Sequence, residues 1–188
     1  MLLLVGGKDQ EADLYPSQCL QCFDNKAGGW GRLADMSMER PFGCGAAAVG
    51  TFLFAFGGGK GEEPQYTTIY DMATRRTVEA AKPPRALWSC SGVVCGGLVY
   101  SLGGFDRRNI DSVSDVCSYH PDLDSWVPGQ PLPCGLHGTA AVEHMGSIYV
   151  CGGGTTQTQT TSASLLMLDP RTLTWAALPL TCLPLQMT

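Results

Sequence analysis

The sequence predicts an all-β fold made of four consecutive small sheets, and three observations carry that prediction. First, a glycine pair ends a short apolar run four times, at Gly6-Gly7, Gly57-Gly58, Gly103-Gly104 and Gly152-Gly153. The pairs are 51, 46 and 49 residues apart. Second, another apolar run ends four times in a turn, within CFDNKAGGW, IYDMATRRT, SYHPDLDSW and MLDPRTLTW. Asp24, Asp71, His120 and Asp169 share one position there, and Trp30, Thr77, Trp126 and Trp175 follow six residues later. Third, small-residue runs precede the later glycine pairs: GCGAAAV, SCSGVVC and HGTAAV.

Each element has a physical reason. The small-residue runs read as strands that converge on a crowded place. The aromatic-rich runs FLFAF, LVYSL and SIYVC read as strands stopped by glycine, which lets the chain turn sharply and neighbours approach closely. The next strand ends in a turn, and Pro121 and Pro170 follow the first turn residue, where a fixed φ suits it. A short strand carrying the Trp position closes the repeat. No segment keeps a helical period over about 11 residues. Short strands bounded by turns, at a period near 50, indicate a β-propeller. The glycines are structural in this reading. A phosphate cradle needs a following helix N-terminus, and GFDRRN lacks the Gly-Lys-Ser/Thr ending.

Composition narrows the function classes. The net charge is −5, and basic residues meet only as pairs in FDRRN and TRRT, which disfavours a nucleic-acid surface. Charged residues are 15% and apolar residues 44%, a globular balance without a membrane-length apolar run. Nine cysteines at irregular spacing suit reduced thiols in a cytoplasmic compartment better than a disulfide framework. CLQC offers two thiols, half of a zinc site, and residues three apart on a strand point to opposite faces. His120, His137 and His144 have no metal spacing, and no G-x-S-x-G occurs. The expectation is a non-enzyme with no cofactor and no metal.

The pattern resembles the Kelch repeat: an apolar strand, Gly-Gly, Tyr-Asp, then Trp six residues beyond the Asp. Gly103-Gly104, Tyr119 and Trp126 match in one repeat, and Gly57-Gly58, Tyr70 and Asp71 in another. Departures are Thr77 for Trp, His120 for Asp, and Phe23 and Leu168 for Tyr. The resemblance implies a Kelch-type propeller with repeats at about 1–38, 39–84, 85–132 and 133–180, and a strand candidate at 181–188. Four four-stranded blades are expected, as part of a six-bladed propeller or as a closed four-bladed form in which the tail completes the first blade. The chain fits a fragment or short isoform of a BTB-Kelch protein, with no BTB domain within it.

The resemblance further implies a protein-interaction module, like the substrate-recognition propeller of a cullin-type ubiquitin ligase adaptor. A cytoskeletal scaffold that binds actin is the alternative, and a propeller oxidase or hydrolase a lesser one. Partners would be proteins, offering a short and acidic segment, with no nucleic acid and no membrane. The binding face would comprise the loops after Gly-Gly and the loops leading into each small-residue strand. Arg40 and Arg85 each stand eight residues before a small-strand residue, Ala48 and Val93, and resemble contacts for acidic peptides. Phe42 and Trp88 are candidate aromatic anchors, or equally pack between blades. Arg107, Arg108 and Asn109 form a loop tip, and His137 lies in a loop of the same set. Cys44, Cys90 and Cys134 lie near that face as candidate redox-sensitive thiols.

Overall fold

A computed structural model describes residues 2–7, 18–62, 66–169 and 171–179. Strands hydrogen-bond antiparallel in four successive sheets. Blade 1 orders β1 (Leu2–Val5), β2 (Cys19–Asp24) and β3 (Gly29–Asp35). Blade 2 orders β4 (Gly45–Val49), β5 (Phe52–Phe56), β6 (Thr67–Asp71) and β7 (Arg76–Ala80). Blade 3 contains β8 (Ser91–Cys95) and β9 (Leu98–Leu102). A ribbon of β10 (Phe105–Asp106) and β11 (Asp111–Ser112) follows, then β12 (Val116–His120) and β13 (Ser125–Pro128). Blade 4 repeats this with β14 (Ala140–His144), β15 (Ser147–Cys151), the ribbon β16 (Gly154–Thr155) and β17 (Thr160–Thr161), then β18 (Leu165–Asp169) and β19 (Thr174–Leu178). Blade 1 has three strands among the described residues rather than four, and the tail strand expected at 181–188 lies outside them.

Apolar layers join each blade to the next. Leu20 and Met36 of the first pack with Leu53, Ala55 and Tyr70 of the second. Phe54 and Phe56 pack with Val99 and Tyr119 of the third. Leu102 and Val116 pack with Ile148, Val150 and Leu168 of the fourth. A sheet covered on both faces needs no polar alternation, and four of the five residues of FLFAF are buried.

The small-residue strands meet where the sequence expects crowding. The β8 strand lies against both β4 and β14. A Cβ placed on Gly92 would stand 2.6 Å from the Ala46 carbonyl oxygen. All eight paired glycines have positive φ. At Gly103, with φ +56°, a Cβ would fall 2.3 Å from the Leu136 oxygen, so a side chain has neither the dihedral nor the space. The second glycine of the pair stitches its blade to the loop of the next. Gly7 N–H donates to Arg40 O at 3.2 Å, Gly58 to Leu87 O at 2.8 Å and Gly104 to Leu136 O at 2.8 Å.

The Trp position is a second stitch. Trp126 Nε1 donates to Ala81 O at 3.1 Å and Trp175 Nε1 to Gln130 O at 3.0 Å, each on the preceding blade's outer segment. Thr77, the departure from Trp, reaches only Asp35 O, at 3.5 Å.

Candidate functional site

The two loop sets singled out in the sequence do come together on one face. Trp88 and Phe105 form an antiparallel bridge, as do His137 and Gly154. Their side chains build a ladder across three blades. Phe42 stacks on Trp88 with centroids 4.1 Å apart, Trp88 on Phe105 at 6.4 Å, and His137 meets Phe105 edge-on at 5.7 Å. Hydrogen bonds fix the ladder: Trp88 Nε1 donates to Gly59 O at 2.7 Å, and His137 Nδ1 lies 2.8 Å from Ser112 Oγ. Three expected contact residues, Phe42, Trp88 and His137, are thus half-buried members of one loop-locking stack.

Arg107 caps this stack. Its guanidinium lies 5.1 Å from the Trp88 ring centre, and Nη1 donates to Lys60 O at 3.2 Å. Beside it opens a groove of about 340 Å³ lined by Glu62, Pro84, Arg85, Ala86, Asp106, Arg108 and Asn109. Asp106 organises its wall, accepting the Arg108 N–H at 2.9 Å and the Asn109 side-chain amide at 2.9 Å. Arg85 is 44% exposed and pairs with Asp115 at 3.1 Å, with Asp106 further off at 4.0 Å. Arg108 Nε stands 3.9 Å from Glu62. Two arginines face two carboxylates in the groove lining, so its formal charge is balanced. Glu62, Asp106 and Asp115 escaped the sequence reading. Asp106 carried a signal: an Asp two residues before a loop-tip N–H is the pattern of an Asx turn.

Arg40 requires a correction. It is 0% exposed and donates to Gly57 O at 2.7 Å, Thr68 Oγ1 at 3.2 Å and Tyr66 O. Burial lowers its pKa below the ordinary arginine value. It is an internal strut rather than a surface grip. Strand register shows why the sequence misplaced it. Val93 pairs with Tyr100, three residues before its glycine pair, and the residue paired with the equivalent Phe54 is Ala47, not Ala48. In the loop itself Arg40 O accepts the Gly7 N–H where Leu87 O accepts that of Gly58 and Leu136 O that of Gly104, so Arg40 holds the buried place of Leu87 and Leu136 rather than that of Arg85.

Two of the three thiols near this face, Cys44 and Cys90, are shielded. Burial pushes Cys44 up to about 11 and raises Cys90 as well, opposite to the activation a redox sensor needs. Cys134 is exposed. In CLQC, Cys19 is buried and Cys22 half-buried along β2. Among the described residues no group of three or more His, Cys, Asp and Glu could hold a metal ion. No helix there is long and apolar enough to cross a membrane.

Comparison with known proteins agrees with this architecture. The Kelch motif profile matches residues 89–133, which run from the loop before β8 to the loop after β13. Human Kelch-like protein 33 is 32% identical over 151 residues, covering 76% of this chain and 27% of that protein. Kelch repeat and BTB domain-containing protein 12 of Danio rerio is 31% identical over 119 residues, covering 56% of this chain and 19% of that protein. The chain therefore spans well under half the length of these relatives. The structure of YjhT superposes with a TM-score of 0.70 at 12% identity, covering 86% of this chain and 52% of that one, a likeness of fold alone. With its Gly-Gly stitches, cross-blade tryptophans and these relatives, the chain belongs to the Kelch-repeat family.

Proposed function

We propose that this chain is a protein-interaction module that holds a short partner segment in the groove between Arg85 and Arg108. The observation that carries the reading is that groove: a cleft on the loop face, lined by paired arginines, carboxylates and Asn109, beside a rigid aromatic stack. Rigid walls reduce the ordering cost of binding. Each arginine holds an exposed carboxylate that a partner carboxylate can replace, because such pairs contribute little by themselves. The balanced charge favours a segment with both acidic and hydrogen-bonding side chains over a purely acidic one. Within a longer protein the same face would present substrates to a cullin-type ligase through a BTB domain. That reading rests on the Kelch-like and BTB-containing relatives. Its home would be the reducing cytoplasm, which suits eight cysteines that are all free among the described residues.

The test is selection of peptides from a random library on the immobilised chain, followed by the double reversal Arg85→Glu/Arg108→Glu. Selected peptides should lose at least tenfold in affinity for the variant while its melting curve stays in place. Equal binding to both proteins overturns the groove assignment. Failure to select any sequence overturns the module reading, and co-sedimentation with actin filaments would replace it by the cytoskeletal one.

A further inference from the structure

The contacts between successive blades follow one plan, and one of them is left unfilled. In blades 2, 3 and 4 the residue two before the glycine pair faces the preceding blade, and strand register gives its cross-strand neighbour. These pairs are Ala55 with Thr68, Ser101 with Cys117, and Val150 with Leu166. Between blades 3 and 4, Val150 and Leu166 pack with Leu102, Leu132 and Leu136 in one buried cluster. Between blades 1 and 2 the small pair leaves room that Arg40 takes, its guanidinium donating to Thr68 Oγ1 and Gly57 O. Between blades 2 and 3 the pair is again small, and a recess remains. Phe56, Pro83, Leu87, Ser101 and Cys117 line it, at the places that hold Leu102, Leu132, Leu136, Val150 and Leu166 one blade later. An unfilled space of this kind costs stability, and the other two contacts show that the fold can fill it.

The recess adjoins the groove, because Pro84 and Arg85 line both. Asp115 borders it too, paired with Arg85 at 3.1 Å. It holds about 20 Å³, just above the roughly 10–15 Å³ that one water needs. Burial first, then Asp115, push the Cys117 thiol up to about 11, so it stays neutral and serves as an apolar wall. Water among such walls has few hydrogen-bond partners, and an apolar group that displaces it gains affinity.

We propose that this recess takes a short aliphatic side chain, alanine- to valine-sized, from the partner segment in the groove, beside the carboxylate that replaces Asp115 on Arg85. The proposal rests on the groove reading above. Charge and shape agree on this occupant: the guanidinium at the mouth selects a carboxylate, and the small apolar space beyond it excludes an aromatic ring. One arginine borders both spaces, so the acidic and the aliphatic residue lie within about two positions of each other in an extended segment.

The test transplants the blade 4 pair into blade 3, as Ser101→Val/Cys117→Leu, and uses the peptides selected on the immobilised chain. The filled chain should melt no lower than the unaltered one and bind those peptides about tenfold more weakly. Changing the peptide's aliphatic residue to glycine should cost the same factor on the unaltered chain and nothing on the filled one. Undiminished binding to the folded filled chain, or of the glycine peptide to the unaltered chain, overturns the recess. If Arg85→Glu/Arg108→Glu still weakens those peptides, the groove stands without it. Peptides indifferent to every change, or a library that yields none, overturn recess and groove together. The glycine comparison needs no protein variant, so it decides the matter even where the filled chain folds poorly.

Discussion

The Asp124 carboxylate accepts the backbone N–H of Ala81 at 2.7 Å, tying the turn of blade 3 to the outer segment of blade 2. The same carboxylate accepts the Tyr119 hydroxyl at 2.8 Å, and Trp126 donates to the carbonyl of the same residue, Ala81, at 3.1 Å. One backbone unit is therefore gripped through both its donor and its acceptor. Asp124 sits in the left-handed region at φ 43°, the conformation short polar side chains tolerate best.

Acid should loosen this grip. The Ala81 N–H, then the Tyr119 hydroxyl, hold the Asp124 carboxyl below its ordinary value. A depressed folded pKa contributes stability that is complete above the unfolded value of about 3.9 and is lost as pH falls through the folded value. Asp124→Asn should therefore show a smaller loss of melting temperature than the unaltered chain between about pH 6 and pH 3. Parallel losses in the two proteins refute the linkage.

Trp126→Phe keeps a ring against Phe56 and Tyr119 but removes the indole donor to Thr67 and Ala81. The expected cost is about 1–2 kcal/mol, seen as a lower urea midpoint at unchanged slope. An unchanged midpoint means that water replaces the bond.

Gly92→Ala should destabilise by about 1–3 kcal/mol, because its Cβ meets the Ala46 backbone within β4 and neither strand can retreat from the hub. Gly31→Ala is the control. A Cβ there meets nothing within 4 Å, and the expected change is within about 0.5 kcal/mol.

Arg40→Met and Arg85→Met should separate by role. Arg40 serves three buried or half-buried acceptors from within the interior, so its loss should cost about 2–4 kcal/mol. Arg85 is 44% exposed, and its loss should cost under about 1 kcal/mol of stability while weakening peptide capture. Chemical denaturation of both variants checks the ordering, and equal costs would contradict the buried placement of Arg40.

What the sequence determined by itself was the periodic part. Glycine pairs, turn carboxylates and the Trp phase recur because every blade solves one local problem, stopping a strand and pinning it to a neighbour. Chemistry repeated at a fixed interval is visible without coordinates. The crowding of β8 was likewise readable, since small side chains in GCGAAAV and SCSGVVC have few other reasons. Tertiary structure alone decided what each loop side chain does. Arg40 and Arg85 look alike in a string, yet Arg40 holds the buried loop place of Leu87 and reaches carbonyl oxygens, while Arg85 stands in a groove. Phe42, Trp88 and His137 are 46 and 49 residues apart, and only the folding of successive blades onto one another brings them into a single stack. Loop direction depends on contacts between distant segments, and no local pattern encodes it.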